Sequence, residues 1–192
     1  MTFEELSEAI YEDLNGQIAT VARDRERYSV FVECDDWQQH DRRRRFELLF
    51  EEVQESTATP SCLSSLQSAS DHPLLWNHND EHLTMYFSSV PASPLELLGQ
   101  LYEAHSLLLG VWRPLSDYLH AGSALMQQGY GQFAQGPRRV IEEYVHVVGD
   151  QCRYSIIHGH TPKGGYRIVL LDECYVVCRR VSVVEHADGH TG

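Results

Sequence analysis

His158 and His160, separated by one glycine, are the residues of this chain with the clearest potential for chemistry. If the segment continues a strand, both imidazoles point to one side, with their Cα atoms about 7 Å apart. Imidazole is a common metal ligand and exchanges protons near neutral pH. Asp172 is a candidate third ligand, with His146 or the segment 77–82 as alternatives. His158, His160 and Asp172 are therefore candidate ligands of a divalent metal, the alternative is that the two histidines only belong to the surface or to a hairpin, and we expect no other cofactor.

The residues Gly-His-Thr-Pro, from Gly159 to Pro162, resemble a motif of the calcineurin-like metallophosphoesterases. The apolar run that ends at Asp172 is similar to the strand that comes next in that family. The family's other ligand motifs, an N-terminal Asp-x-His, a Gly-Asp block and a Gly-Asn-His block, have no counterparts at suitable positions. The resemblance is local, and we assign the chain to no family from it.

Lys163 is the only lysine of the chain and is followed by Gly164 and Gly165. Backbone N–H groups in such a turn can form a concave site for an anion. The segment is not a P-loop. That motif requires a glycine directly before the lysine, another glycine five residues earlier, and Ser or Thr after the lysine. We predict Lys163, Gly164 and Gly165 as a candidate anion-binding loop, and the alternative is a hairpin turn with an exposed lysine.

The 5 cysteines are an odd number without a C-x-x-C pair. Cys174 and Cys178 would lie about 13 Å apart on a strand, too far for a disulfide. We therefore expect packing thiols, with Cys34 and Cys152 also buried. The cysteine pattern and the absence of a leader-like start at Met1 predict a cytosolic protein, and no apolar run approaches the ~20 residues of a membrane helix.

The net charge indicates which classes of partner this chain can bind. The sequence has 15 Lys and Arg against 28 Asp and Glu, a formal net charge of -13. A negative field repels phosphate backbones and anionic lipids, so we expect neither nucleic acid nor a membrane as partner, and a basic protein fits best. The basic run Arg42 to Arg45 has acidic neighbours, and arginines alternate sides on a strand, which favours a solvated hairpin or a local ion-pair cluster.

Three helices are predicted around these residues. Thr2 and Glu5 form a capping box before a short amphipathic helix with apolar residues at Phe3, Leu6, Ile10 and Leu14. Ser93 and Glu96 form a second capping box, with Pro94 at the first helical position. The buried stripe of that helix is predicted to contain Leu98, Leu101, Tyr102, His105, Leu108 and Leu109. Residues 137–148 are predicted as a third helix, with a strand as the open alternative.

Alternating apolar residues predict the strands of the fold. An antiparallel meander is expected near the N-terminus, and its third member could also be helical by propensity. More strands follow before and after the third helix. The predicted strands are Gln17–Arg23, Tyr28–Cys34, Arg44–Val53, His82–Phe87, Cys152–His158, Tyr166–Leu171 and Tyr175–Glu185.

These elements predict an α+β fold in which one antiparallel sheet of about six or seven strands packs against two or three helices. A single domain is expected over 1–192. Residues 57–80, which begin in a Ser- and Thr-rich stretch, are predicted to form a mobile loop, and 186–192 a frayed tail.

Two functional classes follow from the sequence. The preferred hypothesis is a non-catalytic cytosolic binding protein, such as an inhibitor, an immunity-type protein or an adaptor, which uses an acidic surface against a basic protein. The alternative is a metal-dependent or histidine-assisted hydrolase centred on His158 and His160. We lean toward the non-enzymatic class, because the sequence holds no complete catalytic motif.

Overall fold

A computed structural model describes residues 1–12, 15–24, 27–36 and 42–186. These residues form an α+β protein with antiparallel sheets, which confirms the predicted fold class. The helices are α1 (Phe3–Glu12), α2 (Trp76–Asn79), α3 (Pro94–Leu109), α4 (Ser123–Gln128) and α5 (Arg138–Val148). The strands are β1 (Gln17–Asp24), β2 (Arg27–Asp35), β3 (Arg43–Glu51), β4 (Glu55–Ser56), β5 (Ser61–Cys62), β6 (Leu66–Ala69), β7 (His82–Phe87), β8 (Gly131–Pro137), β9 (Tyr154–His158), β10 (Arg167–Leu171), β11 (Cys174–Cys178) and β12 (Arg180–His186).

The chain divides into two compact units. Met1–Asp71 and Gly165–Gly192 form one of them, which we call the discontinuous unit. His72–Gly164 forms the other, which we call the inserted unit. Each unit has its own cluster of buried apolar residues among those described. The expected single domain over 1–192 stays a prediction.

The discontinuous unit contains two antiparallel sheets. Their strand orders are β12-β3-β2-β1-β5 and β4-β11-β10-β6. The predicted meander is confirmed, and its third member is a strand because Phe46, Leu48 and Phe50 alternate into the core at the period of a sheet. Leu6 and Ile10 of α1 are buried in the same apolar cluster.

The two predicted capping boxes have different outcomes. At α1 the Thr2 N–H donates to Glu5 Oε2 at 2.6 Å, and the Glu5 N–H donates to Thr2 Oγ1 at 3.2 Å, so this box is confirmed. At α3 the side chain of Ser93 makes no capping hydrogen bond, and the second box is wrong. Pro94 occupies the first turn and has no N–H, which leaves that helix end with one donor fewer to cap.

The basic run is an ion-pair cluster on β3, as the alternation of its side chains indicated. Arg43 pairs with Asp35 at 3.6 Å, and Arg45 pairs with Glu33 at 3.8 Å. Arg44 lies on the other side of the sheet from these two, and its guanidinium is 2.9 Å from Glu185 on β12. Trp37 and Asp41, which the sequence places beside the run, lie outside the described residues.

Residues 57–80 contain regular structure where the sequence suggested a loop. The short strands β5 and β6, the 3-10 turn Pro73–Leu75 and α2 all fall in this range. The reason is that apolar side chains interrupt the polar stretch and are buried. These side chains are Leu63, Leu66, Leu74, Leu75 and Trp76.

The C-terminal strand differs from its prediction. Tyr175–Glu185 was expected as one strand, but the chain forms β11 in one sheet and β12 in another. The Arg179 N–H donates to the Glu51 carbonyl at 3.0 Å where the chain passes between the sheets. The described strands therefore form three sheets instead of one. Leu14, residues 25–26 between the first two predicted strands, and the predicted tail beyond His186 lie outside the described residues.

The inserted unit contains a three-stranded sheet with the order β8-β7-β9, and α3 and α5 contribute to the same apolar cluster. Residues 138–148 form a helix, which resolves the open alternative. The buried face of α3 contains Leu97, Leu101, His105 and Leu109. Tyr102 is 65% exposed, so its assignment to the buried stripe was wrong, because the i, i+4 series from Leu97 sets the inward face.

His105 is a buried polar residue in this core, with 2% of its surface exposed. Its Nε2–H donates to the Arg113 carbonyl at 2.7 Å, and Nδ1 accepts from the Tyr144 hydroxyl at 2.7 Å. Burial raises the pKa of Tyr144, so its hydroxyl stays a donor. Both imidazole nitrogens are satisfied, which confirms the interpretation of His105 as a core residue.

Candidate functional site

His158 lies at the end of β9, paired with Leu83 on β7. The antiparallel register therefore brings the end of β9 to the start of β7, beside the first residue of α5. Arg138 contributes its backbone N–H to the Glu81 carbonyl at 2.8 Å, which joins the start of α5 to the segment before β7. Side chains that are distant in sequence thus meet at one end of this sheet.

Glu81 is the acidic member of this group. Its Oε1 accepts a hydrogen bond from His158 Nδ1 at 2.8 Å, and its Oε2 accepts one from the Arg138 guanidinium. The hydrogen bond from His158, with the positive charge of Arg138, lowers the pKa of Glu81 below its ordinary value of 4.5. Because Nδ1 of His158 carries the donated hydrogen, the neutral ring has its lone pair on Nε2, and the side chain is 64% exposed.

His160 is exposed like His158, but its ring makes a different contact. Its ring lies against that of His82, with centroids 4.6 Å apart and planes inclined by 33°. His82 Nε2–H donates to the Asn77 carbonyl at 3.0 Å. The predicted pair is therefore divided between two contacts, one to Glu81 and one to His82.

Gly159 allows this arrangement through its lack of a side chain. Its N–H donates to the His82 carbonyl at 2.8 Å, and the His82 N–H donates to the His160 carbonyl at 3.0 Å. A Cβ at position 159 would lie 2.9 Å from the His82 carbonyl oxygen, closer than side chains normally approach. Glycine is therefore required for the close contact between these two backbone segments.

Asp172 belongs to the turn between β10 and β11 in the discontinuous unit. Its Oδ2 accepts from the Ser64 N–H at 2.8 Å, and its Oδ1 accepts from the Ser64 hydroxyl at 3.0 Å. With φ at 54°, Asp172 adopts the left-handed conformation that such hairpin turns use. Its carboxylate thus holds the β10–β11 turn against Ser64 through two hydrogen bonds.

The predicted anion loop has the backbone of a glycine turn. Gly164 has φ of 67° and Gly165 has φ of 78°, both in the region that favours glycine. Lys163 is exposed. The turn alternative accounts for these values, and anion binding at Lys163 stays a prediction.

The sequence missed Arg138, and it offered Glu81 and His82 only as members of a wider segment. The segment 77–82 had been named as an alternative ligand source, and it supplies Glu81 and His82, while His146 lies on α5. Pairing of β7 with β9 was the missing information, since predicted strands do not reveal their neighbours. Across residues 1–12, 15–24, 27–36 and 42–186, no group of three or more His, Cys, Asp or Glu is arranged to hold a metal ion.

The geometry defines two features. The exposed imidazole of His158 is oriented by the Glu81 carboxylate, and the imidazoles of His82 and His160 are in contact with each other. A carboxylate that accepts from Nδ1–H fixes the orientation of the ring and leaves Nε2 available, which suits proton transfer or metal ligation. Comparisons with protein families, with curated proteins and with solved structures found no match for this chain. No helix in the described part of the chain is long and apolar enough to span a membrane.

Proposed function

We propose that this chain is a non-catalytic cytosolic binding protein, of the inhibitor, immunity or adaptor type, that binds a basic protein through its discontinuous unit. The observation that carries the proposal is the unequal charge of the two units. The discontinuous unit has 20 Asp and Glu against 10 Arg, whereas the inserted unit has 8 against 5 Lys and Arg. A field of that sign attracts cationic surfaces and opposes nucleic acid and anionic membranes.

The arginines of the discontinuous unit pair mainly with acidic residues on or next to the strands. Arg27 pairs with Glu47 at 3.3 Å, Arg179 with Glu52 at 3.4 Å and Arg180 with Glu51 at 3.7 Å. Each such pair has no net charge, so these side chains add little to the negative field of the unit.

Helix α1 carries acidic residues, and no ion pair of Glu4 or Glu8 is found among the described residues. Its sequence contains no Lys or Arg, and Glu4 and Glu8 are exposed at the spacing that places them on one face. Tyr11 continues that face and is 81% exposed. An aromatic side chain beside carboxylates is suited to a protein surface that presents Lys or Arg, through cation–π and ionic contacts.

Charge reversal on α1 tests this proposal. The full chain is expected to co-purify with a basic protein at low salt and to lose it at high salt. With that partner purified, E4K/E8K should weaken binding roughly tenfold or more. E96K/E103K, which reverses two exposed glutamates on α3, is the matched control and should bind nearly as well as the native chain. Absence of a salt-sensitive partner, or equal effects of the two variants, would contradict the proposal.

The second candidate is the metal-dependent or histidine-assisted hydrolase centred on His158 and His160. The hydrogen bond from His158 to Glu81 favours it, because this contact leaves Nε2 as a base directed away from the carboxylate. Metal analysis of the purified chain and hydrolysis of generic ester and phosphoester substrates test it. H158A should abolish hydrolysis, H160A should release any bound metal, and H146A serves as a control. Metal-free protein without H158-dependent hydrolysis would remove this candidate.

A further inference from the structure

The outer edge of β9 in the inserted unit has no bonded neighbour among the described strands, since β9 pairs with β7 alone. The Arg153 carbonyl accepts from Ser88 and the Gly159 N–H donates to His82, so these two residues direct their hydrogen-bonding groups toward β7. Antiparallel pairing alternates in direction. Tyr154, Ile156 and His158 therefore direct their N–H and C=O groups to the open side.

The opposite edge of the same sheet is covered. Leu119 forms a bridge to Ala134 of β8, and the Gln135 N–H donates to the Tyr118 carbonyl at 2.9 Å. The N–H groups of His120 and Ala121 both donate to the Phe133 carbonyl. The segment 118–121 thus occupies the outer edge of β8, and within the described part of the chain the β9 edge is the one side of this sheet without a bonded strand.

The side chains of β9 do not block such a strand. Natural edge strands carry charged residues or proline that prevent pairing with another chain. The sequence Tyr-Ser-Ile-Ile-His of β9 contains neither Asp, Glu, Lys, Arg nor Pro. Ile157 is 56% exposed and Tyr154 is 38% exposed. The open edge thus carries no Asp, Glu, Lys or Arg although the chain has a net charge of -13, and it favours an uncharged complement.

We propose that β9 pairs antiparallel with β9 of a second copy of this chain, which joins two three-stranded sheets into one six-stranded sheet across a two-fold axis. Centred on Ile156, this register makes Tyr154 face His158 of the other copy and uses all the outward groups of these three residues. Ser155 then lies opposite Ile157 of the other copy on the exposed face, as a close non-hydrogen-bonded pair.

A second copy fits this edge better than a basic partner does. Two copies approach through the inserted unit, whose charges are nearly balanced compared with the discontinuous unit. The strand is self-complementary, with uncharged residues at every facing position. Because a five-residue strand pair is smaller than a standard interface, we expect dissociation constants in the range of about 1 to 100 µM.

Sedimentation velocity of the full chain from about 5 to 500 µM tests the proposal, and the mass should rise toward that of a dimer. S155K/I157K places like charges opposite each other across the axis and should raise the dissociation constant at least about tenfold. S155E/I157K places Glu opposite Lys and should return it to within about threefold of the native value. Q135K on β8 adds one positive charge at the covered edge and should leave the dimer intact.

Amide hydrogen exchange locates the interface. The N–H groups of Tyr154, Ile156 and His158 should become more protected as the concentration rises, and S155K/I157K should abolish this change. A native chain that stays monomeric at about 500 µM overturns the proposal. So does a dimer that S155K/I157K leaves unchanged, or one in which these amides show no protection. All the substituted positions are in the inserted unit, so the result is independent of the α1 test.

Discussion

Glu81 and His158 show how a candidate site can depend on a residue that the sequence offered only as part of a wider segment. The His-x-His pattern made His158 a candidate, but nothing in the sequence linked it to a glutamate 77 positions earlier. The carboxylate binds His158 through one oxygen and Arg138 through the other. The chemistry of this imidazole is therefore set by a long-range contact.

The lowered pKa of Glu81 predicts a pH-dependent contribution to stability. Because the folded-state value lies below the ordinary 4.5, this contribution is present above pH 4.5 and is lost as the pH falls through the folded-state value. E81Q should therefore melt at a lower temperature than the native chain at pH 7, and the two melting temperatures should converge as the pH falls through the folded-state pKa of Glu81. Thermal melts across this pH range provide the measurement.

E142Q is the control for this prediction. Glu142 also lies near Arg138, with Oε1 3.8 Å from Nε, but its side chain is 58% exposed. An exposed pair at that distance contributes little to stability. A gap between E81Q and the native chain that stays constant down to pH 3 would show that the carboxylate charge is not its origin.

Among the secondary structure elements, those with strong periodicity were predicted and those that depend on neighbours were not. The α3 helix was found from Pro94 and its apolar residues, yet its rotation was misjudged at Tyr102. β8 was not predicted, because Gly131–Pro137 has three residues of low strand propensity and becomes a strand through pairing with β7. Tertiary context outweighs propensity in such a segment.

Two glycines are expected to respond in opposite ways to alanine substitution. A Cβ at Gly16 would overlap the Leu63 carbonyl oxygen, whereas nothing lies within 4 Å of a Cβ at Gly99 in the middle of α3. G16A should lower the free energy of unfolding by about 1 to 3 kcal/mol, through displacement of the backbone near β5. G99A should raise it by about 0.5 to 1 kcal/mol, because alanine is the better helix former.

Urea titration followed by far-ultraviolet circular dichroism measures both changes. The two variants add the same methyl group, so their difference isolates the local environment. Equal changes in G16A and G99A would mean that the close approach of Gly16 to the 61–63 segment does not constrain the fold.

At the scale of the whole molecule, the two units differ in net charge and have separate apolar clusters. One unit holds most of the acidic excess, and each has an apolar cluster of its own. Composition alone stated the total charge of -13 but not its unequal distribution, since the discontinuous unit combines both ends of the chain. Only the fold assigns residues 165–192 to the same unit as residues 1–71.

The five free cysteines offer a probe of the whole fold. Cys34, Cys152 and Cys178 are buried, Cys174 is half-buried and Cys62 is exposed. Burial raises the pKa of Cys152 and raises that of Cys178 to about 12, which suppresses their thiolates. In the native protein Cys62 should react first with Ellman's reagent and Cys174 more slowly, while the other three react only after denaturation.

C62S should remove the fastest phase of that reaction and leave the slower ones unchanged, and denatured native-sequence protein should show all five thiols. Rapid reaction of three or more thiols in the folded protein would contradict the burial assigned to Cys34, Cys152 and Cys178.

The α+β class, the N-terminal meander, the capped α1 helix and the two histidines of interest were all predictable from the sequence. Each depends on residues within a few positions of one another, whose spacing directly reflects a helix or strand. The division into three sheets, the pairing of β9 with β7 and the Glu81 contact required the tertiary structure. Strand pairing is chosen by the packing of distant segments, and local spacing carries no information about it. His158 was therefore visible as a histidine beside a glycine, but its partner, its orientation and the open edge on which it lies were not.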